Sequence, residues 1–152
     1  MLDCRDRSPF PNVWSVARWD VHALLCENPA AMRLFALRGA TTVQDNDAEQ
    51  ILAATEELMR ELMARNALAA EDLVSCIFTL TDDLDAEFPA VAARRMGLDR
   101  VPLMCAREVP VPGSLPRVIR VLVHCYADAA LEPSHVYLGA AKSLRADLES
   151  AQ

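Results

Sequence analysis

The chain of 152 residues is short of several things, and each shortage removes a class of protein. Its four glycines form no Gly-rich loop of the kind that cradles a phosphate. No apolar run approaches the ~20 residues that a membrane-crossing helix needs, so no membrane is expected as a partner. Five cysteines stand at 4, 26, 76, 105 and 125 without a C-x-x-C pair. That pattern is neither a zinc site nor a disulfide framework, and it fits a reducing cytoplasm. His124 and His135 lack ligand spacing, so no metal is expected. No G-x-S-x-G elbow exists, and Cys105 has no identifiable base partner, which leaves a nucleophilic triad unsupported. Basic charge is also short: 15 Lys and Arg face 22 Asp and Glu, for a net charge of −7. The electrostatic footprint of a nucleic-acid binder is missing, and nucleic acid is not an expected partner.

What is present suits one well-packed domain: 53% of the residues are hydrophobic, enough for a single core at this length. Residues 1–31 carry Pro9, Pro11 and Pro29 with no sustained helix or strand period. They are expected to be an N-terminal extension, either poorly ordered or a start-site artefact, with a docking arm built on Trp14 and Trp19 as the alternative. They lack the continuous apolar core of a secretory signal, and the chain is expected to be cytoplasmic. The functional domain is expected over 32–152.

Within that domain the pattern predicts a strand over 33–38 closing at Gly39, then a polar turn and a long helix over 48–65. Asp47 and Gln50 form a capping-box arrangement at the helix start, and Ile51, Leu52, Leu58, Met59, Leu62 and Met63 make its apolar stripe. A strand over 73–80, continuously apolar, reads as buried on both faces. Pro89 and Gly97 bracket a short helix as its first residue and its C′ residue. Strands follow over 101–106 and 118–126, with an extended piece over 135–138. The order β-α-β-α-β-β implies an α+β fold, a mixed β-sheet with helices on one face. The other face needs a cover, and a partner subunit in a closed homo-oligomer is the simplest one.

Few residues look chemical. Arg120 interrupts the aliphatic strand Val-Ile-Arg-Val-Leu-Val at 118–123; it either emerges at an open face or lines a polar cleft, where a planar fork of donors suits a carboxylate or an oxygen gaining negative charge. Glu108 precedes Pro110 and Pro112, which stiffen the loop beyond it by fixing φ; it is either an exposed loop acid or a carboxylate aimed by that loop. Cys105 lies three residues before Glu108 and would face the opposite way in an unbroken strand, so a shared site requires the strand to end or bulge between them. Arg38 closes the first strand. Arg94, beside Arg95 at the end of the short helix, is equally well explained by the helix dipole. The residues alone stop at an arginine-rich site for a small anion, with one carboxylate.

Six segments in order go further: Leu-Arg-Gly-Ala-Thr-Thr-Val at 37–43, Asp-Leu-Asp-Ala-Glu-Phe-Pro-Ala at 83–90, Val-Pro-Leu-Met-Cys-Ala-Arg-Glu at 101–108, Leu-Pro-Arg-Val-Ile-Arg-Val at 115–121, His-Val-Tyr-Leu at 135–138 and Leu-Arg-Ala-Asp-Leu at 144–148. Together they resemble the small trimeric chorismate mutases of the AroH class, from Met32 to the C-terminus. The resemblance implies a trimeric pseudo-α/β-barrel with active sites between subunits, and an isomerase that rearranges chorismate to prephenate in phenylalanine and tyrosine biosynthesis without a cofactor. It implies catalytic roles for Arg120 and Glu108, and substrate binding by Arg38, Arg94, Cys105 and Tyr137, with Arg94 coming from the neighbouring subunit. Phe88 and Ala90 would form an apolar wall, and Leu144 and Arg145 would close the mouth. Val91 and Met104 depart from the polar residues of the family member nearest in pattern. A non-catalytic trimeric domain that binds a carboxylate metabolite or regulates is the alternative function.

Overall fold

A computed structural model describes residues 31–145. The expectation for the N-terminal extension and the end of the C-terminal tail therefore lie outside the described residues. Five strands form one sheet: β1 (Met32–Thr42), β2 (Leu73–Leu80), β3 (Leu103–Arg107), β4 (Val118–Asp128) and β5 (Val136–Tyr137), in the order β3-β2-β4-β1-β5. β4 runs antiparallel to both β1 and β2, while β2–β3 and β1–β5 are parallel, so the sheet is mixed as expected.

Two helices, α1 (Ala48–Arg65) and α2 (Pro89–Arg95), supply the cover. α1 starts where the cap predicts: the Asp47 carboxylate accepts from Gln50 N at 3.0 Å, satisfying one of the otherwise unpaired first-turn donors. The Gln50 side chain does not complete a reciprocal box; its Oε1 accepts from Asp45 N instead, at 3.1 Å. α2 has Pro89 at its first position, and Gly97 follows it at φ 87°, as read from the sequence. Leu58, Met59 and Leu62 of α1 and Ala90 and Ala93 of α2 pack on Leu37, Cys76, Phe78, Val121 and Val123. These strand residues share one face, because Leu37, Cys76 and Val123 are register partners, as are Gly39, Phe78 and Val121.

Three sequence readings change. β1 runs on through Gly39 to Thr42, and Gly39 serves close approach instead of a turn. A Cβ there would lie 3.0 Å from Val121 Cγ1, 3.1 Å from Leu58 Cδ1 and 3.2 Å from Leu62 Cδ1, so its absence lets α1 settle onto the sheet. β2 alternates: Leu73, Cys76, Phe78 and Leu80 are buried, while Ser75, Ile77 and Thr79 are half-buried and Val74, at a bulge, is exposed. Its second face is uncovered because both helices pack on the first. β3 begins at Leu103, after Pro102, whose missing N–H cannot donate to a ladder.

Candidate active site

The uncovered sheet face carries the candidate site. Thr79 of β2, Arg120 of β4 and Ala40 of β1 lie side by side in register, and Tyr137 of β5 pairs with Ala40, extending the row. One step along, Ile77, Leu122 and Arg38 form the next row. Strand alternation thus answers the question posed by Arg120: its flanking residues Ile119 and Val121 are core, and the guanidinium emerges on the opposite face. At one end, the 3-10 segment Gly139–Arg145 packs Ala141 onto Ala40 and Val118. The result is a cleft of about 420 Å³ with Arg38, Thr79, Arg120, Tyr137 and Leu144 among its walls.

Glu108 enters this arrangement from the end of β3. Its N–H donates to Leu80 O at 2.9 Å. Its carboxylate is held at both oxygens: Thr79 Oγ1 donates to Oε1 at 2.7 Å, and Arg120 NH1 pairs with Oε2. Arg38 stands diagonally from Arg120 across the β1–β4 pair. Burial lowers the Arg120 pKa below its ordinary value, and the like charge of Arg38 lowers it further. A guanidinium remains charged nonetheless, so the cleft of a chain whose net charge is −7 holds two cations, one of them paired with the Glu108 carboxylate. The Tyr137 hydroxyl is buried and has no hydrogen-bond partner among the described residues.

Apart from Leu144, the remaining sequence-predicted residues with described side chains lie outside this cleft. Cys105 pairs with Phe78 on the core-facing row and packs partly against the core. β3 does end between Cys105 and Glu108, but the alternation persists, so the two side chains point to opposite faces. Cys105 lines a second cleft with Leu84, Glu87 and Phe88. Phe88 is 65% exposed, a large aromatic surface for one chain to leave in water. Ala90 is 5% exposed and its side chain belongs to the core. Arg95 reaches Glu49 at 3.4 Å, whereas no ion pair among the described residues engages Arg94, which is exposed. Leu144 lines the Arg120 cleft; the Arg145 side chain lies outside what is described. Thr79 was not singled out by sequence. The signal available was its alternation with Ile77, which puts it on the uncovered face, but only the register with Arg120 reveals its neighbour.

Fold and cleft define a class: an α+β protein whose open sheet face gathers two guanidiniums, a clamped carboxylate and a phenol without a hydrogen-bond partner among the described residues. A sequence profile of chorismate mutase type I matches residues 34–148. The chain is 52% identical over 118 residues to chorismate mutase AroH of Thermus thermophilus, covering 76% of this chain and 97% of that protein. It is 38% identical over 119 residues to chorismate mutase AroH of Bacillus subtilis, covering 77% and 94%. Among solved structures, a chorismate mutase from Clostridium thermocellum is similar with a TM-score of 0.68 and 48% identity, over 72% of this chain and 98% of that one. The chain belongs to the chorismate mutase type I family.

Proposed function

We propose that this chorismate mutase rearranges chorismate to prephenate in the Arg120 cleft, completed by a neighbouring subunit. The observation that carries the reading is the convergence of Arg38, Arg120 and Tyr137 on one cleft of a single sheet face, with Glu108 paired to Arg120 at its edge. The reaction is pericyclic: a C–O bond breaks as a C–C bond forms, with no proton transferred and no nucleophile. It calls for no cofactor. The protein's task is to hold the folded diaxial conformer, which removes much of the entropic barrier, and to stabilise charge as it separates. Negative charge grows on the ether oxygen, where a fixed guanidinium stabilises the transition state more than the ground state. Arg120 takes that role. Glu108 orients the ring hydroxyl and complements the partial positive charge of the ring. Arg38 and Arg94 bind substrate carboxylate, and Tyr137 donates its free hydroxyl to substrate.

This assignment calls for a closed homotrimer. Beyond the cleft the uncovered face carries Leu34 and Tyr126, each 50% exposed, and Met104, 54% exposed. Exposed large apolar side chains on one uncovered sheet face favour an interface there. Phe88, Arg94 and Cys105 stand apart from the Arg120 cleft on one chain, and packing these faces together would let one subunit's Phe88 region complete another's cleft. Leu144 and Arg145 then close the mouth. A cytoplasmic location is supported by the free thiols of Cys76, Cys105 and Cys125, and no helix among the described residues is long and apolar enough to cross a membrane.

Incubation of the purified protein with chorismate, following loss of its absorbance and identifying the product, tests the proposal. Cofactor-free formation of prephenate with a kcat nearly flat across neutral pH is expected. An acid–base lyase working through Glu108 would give a different product and a rate that titrates. Turnover no faster than the uncatalysed reaction contradicts the proposal.

A further inference from the structure

A threonine in a strand usually needs no explanation, since its branched side chain suits a pleated surface. Thr79 has more to account for. It is the register partner of Arg120 and half-buried, and its hydroxyl donates to Glu108 Oε1 at 2.7 Å. The next residue, Leu80, receives the Glu108 backbone N–H. Glu108 is therefore tied to adjacent positions of β2, once by its backbone and once by its carboxylate.

We propose that Thr79 is a positioning residue of the rearrangement: by holding Oε1 of Glu108 turned toward its own hydroxyl, it fixes the carboxylate in an orientation that makes a single contact with Arg120. The inference rests on the assignment of Glu108 and Arg120 to the reaction. The terminal torsion of a glutamate is broad and roughly two-fold, so its two oxygens exchange readily unless something distinguishes them. A carboxylate beside a guanidinium tends to close into the bidentate fork, which is the stronger arrangement. Closure would direct a second Arg120 donor at Glu108 and away from the substrate. With Oε1 engaged by Thr79, only Oε2 meets Arg120, through NH1, and the other guanidinium donors keep their aim. The stiff χ1 of a β-branched residue holds the hydroxyl in place.

The experiment combines Thr79→Val, nearly equal in shape, with Glu108→Gln in a double-mutant cycle on chorismate turnover, with Thr79→Ser as the rescue. Thr79→Val alone should lower kcat roughly 10-fold, the scale of one lost hydrogen bond to a charged group, with KM within about 2-fold because ground-state binding is untouched. Thr79→Ser should recover most of the loss. In the Glu108→Gln background Thr79→Val should change kcat by less than about 2-fold, since a residue acting through Glu108 is silent once that carboxylate is gone. Two results overturn the proposal while leaving the site intact: wild-type kcat in Thr79→Val alongside an impaired Glu108→Gln, or the same loss in both backgrounds. Wild-type turnover by Glu108→Gln would remove the assignment on which the inference rests.

Discussion

Arg38 and Arg120 are diagonal neighbours on one sheet face, and like charges at that distance, roughly 7 to 8 Å, disfavour each other once water is displaced. An anion between them would relieve that repulsion, even in an acidic protein. Tyr137 carries the complementary feature, a buried hydroxyl without a partner among the described residues. An unsatisfied buried hydroxyl destabilises by about 1 to 3 kcal/mol. Tyr137→Phe should therefore keep or raise the melting temperature while raising KM for chorismate, measured by thermal denaturation and steady-state kinetics on one preparation. Cys76 makes a separate prediction. Burial, and to a lesser degree Cys125, pushes its pKa from 9.0 up to about 12. The unfolded chain thus releases this proton first, and Cys76 contributes stability that is complete below pH 9 and is lost as pH rises toward 12. Denaturant titrations across that window should show falling stability, with a shallower fall in Cys76→Ala. At this scale Arg120 was legible from sequence because a charge within an aliphatic strand contradicts its surroundings. Thr79 was not, because threonine fits any strand and its significance depends on which residue lies across the ladder.

The elements hold these side chains through a latch at the start of β4. Arg117 adopts φ 52°, a left-handed conformation that is strained for a residue with a side chain. Its N–H is held by both oxygens of Asp83, at 2.9 and 3.1 Å. Thr81 Oγ1 donates to the same carboxylate and accepts from Val118 N at 3.0 Å. The latch sets where β4 begins, and Arg120 is three residues beyond Arg117. Asp83→Ala should destabilise the fold by about 0.5 to 1.5 kcal/mol, through loss of an exposed charged acceptor that holds the Arg117 and Thr81 donors, and should lower kcat because the β4 start loosens. Asp83→Asn should retain part of both. Calorimetry and chorismate turnover check the two effects separately. Both helices were legible in the sequence, since caps, a proline at the first position and a C′ glycine act locally. The strand ends were less so. Gly39 reads as a turn residue in isolation, and only the approach of Leu58 and Leu62 shows that its missing side chain is what matters.

At the level of the whole molecule, one chain leaves Leu34, Met104 and Tyr126 of its second sheet face and its Phe88 region exposed and keeps Phe88, Arg94 and Cys105 out of the Arg120 cleft. The need for a covered second face was readable from helices on one side of a mixed sheet, whereas the expectation that a neighbour supplies Arg94 came only from the family resemblance, because residue spacing carries no information on which subunit supplies a side chain. A homotrimer with shared sites predicts that Arg38→Ala and Arg94→Ala, each nearly inactive alone, regain activity when mixed under conditions that exchange subunits. Light scattering should report three chains, and mass spectrometry of differently labelled chains should verify the exchange.

The central claim is that Arg120 stabilises charge on the breaking ether bond, and the kcat of Arg120→Ala on chorismate tests it most directly. A loss worth about 3 kcal/mol or more is predicted, the scale of removing a preorganised charge donor, with Arg120→Lys recovering only part of it because an ammonium lacks the planar fork. A folded Arg120→Ala variant that turns chorismate over with the wild-type kcat would contradict the account.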